Sequence, residues 1–203
     1  MIRIEVGRNM RYRIITSFLV LALVISLGFS VYSYLAMVDK QKMINDIRSE
    51  IILEWANEMN AAAHCLKNAT TNIDVDDEHY GVRWFLLAAF HVMEAGHQWH
   101  GESEFYEPLM RASLDVAGNL IPYEEGARAR INPIAIEMFG NLAEKIWGVT
   151  DIIFNEAHIL YTPSGVNPIQ RLEEKGILDD IVDGCTDIAN YSYQIHEFNP
   201  KFQ

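Results

Sequence analysis

The sequence predicts an all-α protein, with one N-terminal transmembrane helix continuing into an antiparallel bundle of four to five helices. Three observations carry that expectation. Residues 14–38 form an uncharged apolar run. Beyond it, apolar residues recur at three- and four-residue steps, the spacing of one face of a helix. No segment sustains the period-two alternation of β-branched residues that marks a half-buried strand.

The apolar run is 25 residues long. At about 1.5 Å per residue it reaches about 37 Å, enough to cross about 30 Å of hydrocarbon with some tilt. Arg3, Arg8, Arg11 and Arg13 precede it, and Tyr32 and Tyr34 lie near its far end, where amphipathic rings favour the headgroup layer. A cleaved signal peptide has a shorter apolar core, about 7–15 residues, and a small-x-small cleavage site. Ser30, Ser33 and Ala36 approximate such a site poorly, so an uncleaved anchor is expected. The organisation follows: a basic flank over 1–13, the anchor over 14–38 and an acidic domain over 39–203.

Direction rests on Lys and Arg counts. Four Arg precede the span, whereas Lys40, Lys42 and Arg48 follow it. The expectation is a single-pass protein with a cytoplasmic N-terminus and an extracytoplasmic C-terminal domain. From Lys40 onward lie 26 of the 28 acidic residues and 12 of the 16 basic ones, a formal charge of −14. Such a surface repels nucleic acid and anionic lipid. The triplets Asn68-Ala-Thr70 and Asn190-Tyr-Ser192 match a glycosylation sequon, a pattern that arises often by chance.

After the anchor the helical period continues. Ile44, Ile47, Ile51, Trp55, Met59, Ala63 and Leu66 alternate with Asp46, Glu50, Glu54 and Glu58, predicting an amphipathic helix to about residue 66. No Pro or Gly falls between Gly28 and this segment, so anchor and stalk read as one rod. Residues 68–78 are polar and read as a loop. The next helix, about 78–100, holds the most apolar stretch of the domain, Trp84 to Phe90, and is expected to be the central buried helix. Gly101 ends it. Glu102 and Glu104 open a third helix, where acidic side chains suit the positive end of the dipole. Phe105, Leu109, Leu114, Ala117 and Leu120 are its expected inward face, and 122–130 a connector. Asn132-Pro133 and Asn167-Pro168 each place a capping residue before a proline at the first helical position. The first opens a long helix to about residue 160; the second opens the last, interrupted near Gly176.

Cys65 and Cys185 are the only cysteines. If five helices alternate in direction, the first and last run parallel and both cysteines fall toward their distal halves. A bridge there would stabilise by about 3–5 kcal/mol in the chain-entropy model, and an oxidising compartment favours it. The parity flips if the second and third helices form one element. The alternative is two buried thiols acting as small hydrophobes.

One segment concentrates chemistry: His91-Val-Met-Glu94-Ala-Gly-His97-Gln-Trp-His100. Polar groups recur every three residues, drifting about 60° per step, so His91, Glu94 and His97 occupy neighbouring positions on one face. With a fourth ligand they form a candidate transition-metal site. A carboxylate-bridged dimetal bundle needs a second Glu-x-x-His pair and a lone Glu from each of two other helices. Glu58, Glu137 or Glu144 offer the lone carboxylates, but no second pair exists. The competing reading is local hydrogen bonding at a polar helix end, where His97 and His100 suit the negative end of the dipole. His64 with Cys65 and Met59 is a weaker metal candidate. No haem-attachment motif, phosphate loop or nucleophile elbow occurs.

Three function classes remain. The first is a tethered binding or accessory subunit, partnered by the bilayer through 14–38 and by another protein or a second copy, without catalytic machinery. No second apolar segment long enough to return through a membrane follows residue 38, which disfavours a transmitting receptor. The second is a metal-binding protein or metalloenzyme built on His91, Glu94 and His97. The third is a pilin-like filament subunit, weakened by the basic stretch after Gly7, an apolar run without an acid, and a helical head.

Overall fold

A computed structural model describes the backbone of residues 2–71, 78–97, 103–125, 133–160 and 167–196. Every element among them is helical: α1 (Ile2–Thr71), α2 (Glu78–His97), α3 (Ser103–Glu125), α4 (Pro133–Asn155), α5 (Ala157–Leu160), α6 (Pro168–Glu174) and α7 (Ile177–His196). The chain divides into two compact units, Met1–Ile44 and Asn45–Gln203.

In the first unit α1 is long and apolar enough to cross a membrane, and none of its most apolar window is buried by protein. Side chains from Tyr12 to Met43 all face outward. Thr16 and Ser30 donate from Oγ to the carbonyls of Tyr12 (2.8 Å) and Ser26 (2.9 Å) one turn earlier in the same helix.

The second unit is a bundle in which α1, from Asn45 to Thr71, is the central member. Ile52, Trp55, Ala56, Met59, Ala62, Ala63, Leu66 and Ala69 are fully buried, and they cover more of the circumference than one amphipathic stripe. Polar contacts tie α1 to its surroundings. Ser49 Oγ donates to the Leu160 carbonyl of α5 (2.9 Å), Trp55 Nε1 to Ser113 Oγ of α3 (2.8 Å), and Lys67 Nζ to Glu144 Oε1 of α4 (2.7 Å). The helix expected to be central, α2, is described at its side chains only over 87–96. There Ala88, Ala89, Val92 and Ala95 are buried while Leu87 is 46% and Phe90 52% exposed, so this part of it has a solvent-facing side. The side chains of Trp84, Phe85 and Leu86 lie outside the described residues.

Register follows from pairs along the helices. His64 meets Trp147 and Lys67 meets Glu144, while a Cβ on Gly140 would lie 3.8 Å from Thr70 Oγ1, so α1 and α4 are antiparallel. Lys145 meets Asp187 and Val149 meets Gly184, so α4 and α7 are antiparallel as well. The Asn45–Thr71 stretch of α1 therefore runs parallel to α7, as alternating directions require.

Both Asn-Pro start signals fall at helix starts. Asn167 caps α6 by accepting from Ile169 N through Oδ1 (3.0 Å), with Pro168 at the first helical position. The expected interruption is also present. Gly176 has φ +71, a left-handed conformation open to glycine, and its N–H donates to the Glu173 carbonyl (2.9 Å) between α6 and α7. Two boundaries differ. α3 continues through Pro122 to Glu125, since a proline near a helix end removes only one backbone donor. The fourth helix ends at Asn155, and α5 follows after a turn at Glu156.

Two inward assignments also differ. Ile47 is 47% exposed and Leu114 49% exposed. Near Ile47 the inward positions belong to Asn45 and Ser49, and Ser49 is held by the Leu160 carbonyl. The pair Cys65 and Cys185 lies in one core cluster, yet both are free thiols. The expected bridge is absent; each sulfur packs as a small hydrophobe.

Close packing of α4 on α7 depends on Gly184, where an added Cβ would sit 2.4 Å from Val149 Cγ2. Gly184→Ala is expected to lower stability by about 1–3 kcal/mol, as overpacking does, with partial recovery in the Gly184→Ala, Val149→Ala double variant. Thermal unfolding of the full chain in detergent, followed by circular dichroism, checks both.

Candidate functional site

Helix α2 brings one member of the predicted trio to α1. His91 Nδ1 lies 2.7 Å from Glu58 Oε2, both side chains half-buried, and the Phe90 ring meets the imidazole edge-on at 5.8 Å. Glu58 sits one helical turn before the buried Ala62, which places it on the rim of the α1–α2 contact. Glu94, one turn beyond His91 on α2, is exposed. The side chain of His97 lies outside the described residues, as does all of His100. Among the described residues, no group of three or more His, Cys, Asp or Glu side chains is placed to hold a metal.

The other carboxylates considered from sequence are engaged or exposed. Glu144 pairs with Lys67, and Glu137 is exposed on α4. His64 is exposed and packs edge-on against Trp147 at 5.0 Å. Met59, five residues earlier and on a different face, is fully buried, and its sulfur takes a contact from Ser113 Oγ at 3.6 Å. His64 and Met59 therefore do not converge on one ligand position.

The thiols are shaped by burial. Desolvation raises the pKa of Cys65 above its ordinary 9.0 and pushes that of Cys185 up to about 12. Both are protonated at neutral pH, which suits packing and opposes nucleophilic or metal-binding roles.

Two polar clusters escaped the sequence reading. Ser113, fully buried on α3, accepts from Trp55 and donates to the Leu109 carbonyl (3.1 Å), linking α1 to α3. Asp115 accepts from the Tyr193 hydroxyl of α7 at 3.0 Å, and this bond, with the carboxylate charge, raises the tyrosine pKa. The second carboxylate oxygen of Asp115 is buried without a hydrogen bond, and Arg111 Nε stands 3.6 Å away. These pairs join residues 58 and 78 apart in sequence, a separation at which helical periodicity carries no signal. Helix spacing exposes i, i+3 and i, i+4 neighbours only.

No protein-family model, curated protein or solved structure matches this chain.

Thiol chemistry is expected to follow burial. In the folded protein near pH 8, alkylation by iodoacetamide should be slow at both cysteines, slower at Cys185 than at Cys65, and fast after denaturation. The raised folded-state pKa values make the thiols' contribution to stability complete below about pH 9 and progressively lost as pH rises toward 12. Urea titrations across that range should show a smaller loss in Cys185→Ala than in the parent chain.

Proposed function

We infer that the protein is a membrane-anchored, extracytoplasmic binding or accessory subunit without catalytic machinery of its own. One observation supports this most strongly: α1 is both a helix able to cross a membrane and the central helix of the bundle. An anchor built into the core holds its domain at the bilayer permanently, which suits a tethered partner-binding role. Residues 14–38 meet lipid. The acidic bundle meets another protein or a second copy, and its charge opposes nucleic acid. The four Arg before the span, against three basic residues soon after it, favour a cytoplasmic N-terminus.

A second reading draws support from Glu58 meeting His91. A carboxylate from α1 beside an imidazole of α2 supplies two metal-ligand types from two helices, to which Glu94 and His97 would add the rest of a mononuclear transition-metal site.

Two measurements separate these readings. In sealed vesicles of known sidedness, a protease added on the extracytoplasmic face is expected to digest the region after residue 40 and spare the N-terminal flank; digestion only from the opposite face would reverse the topology. Elemental mass spectrometry on protein purified without chelator or affinity metal tests the second reading. Stoichiometric metal lost in both His91→Ala and Glu58→Ala would favour the metal site, and a blank would sink it. Cross-linking in intact membranes should then yield a defined protein adduct under the first reading, and none appearing would count against it.

A further inference from the structure

We draw no further inference here: the strongest candidate, the side-chain cluster of Arg111, Asp115 and Tyr193 between α3 and α7 with its unbonded buried carboxylate oxygen, belongs to the helix contact already described, and nothing in the structure points to a ligand there.

Discussion

From Asn45 to Thr71, α1 is buried on most of its circumference, and that burial dictates the rest of the bundle. A helix buried on one narrow stripe needs few neighbours. One buried on most of its circumference, with the stripe of Glu50, Glu54, Asn57 and His64 left to solvent, needs several, and narrow residues wherever they approach closely. The Ala residues at 56, 62, 63 and 69 supply that narrowness, while Trp55, Met59 and Leu66 fill the wider gaps. The transfer of such side chains from water, about 1.5–3 kcal/mol for each large one, is the dominant stabilising contribution. Hydrogen bonds donated by the buried Ser49 and Trp55 side chains then favour one arrangement of neighbours, because a buried donor left unpaired is costly.

Within α1 the meaning of a small residue changes along the chain. In the first unit Ser30 and Thr16 turn their hydroxyls back on their own helix. In the second, Ser49 reaches outward to α5, where a hydroxyl gains a hydrogen bond by leaving its own helix. The single Ser49 hydroxyl hydrogen has a second acceptor within reach, its own i−4 carbonyl of Asn45 at 3.0 Å, so the local and tertiary carbonyls share or compete for one donor. The same chemistry is local in the first unit and tertiary in the second.

The helical class, the long N-terminal helix, both Asn-Pro starts and the break at Gly176 were legible in sequence, because each is written in residues close together along the chain. Asn167 capping Ile169 is a two-residue matter, and so is the left-handed Gly176. The identity of the central helix was not legible. Trp84 to Phe90 is more apolar than any window of Asn45–Thr71, but burial depends on which helices surround which, and hydropathy holds no record of that. The candidate site was half legible. Helix spacing singled out His91, and Glu58 was among the carboxylates noted, but their 2.7 Å approach is a fact of packing between α1 and α2. Asp115 and Tyr193 had no local signature at all. The cysteines illustrate the same limit: parallel helices allowed a bridge, and in the structure both are buried free thiols.

A central helix that comes first in the chain sets a problem of timing. Synthesis proceeds from the N-terminus, so α1 leaves the ribosome with its core-forming face complete and none of its neighbours yet made. Its contact with α5 spans 111 residues, and α7 ends at His196. At about 5–20 residues per second, the interval between the end of α1 and the end of α7 is about 6–25 s. For that time the face of α1 that becomes the core is unsheltered, and the nascent chain depends on whatever shields it, whether a chaperone, a translocation channel or its own early hairpin with α2.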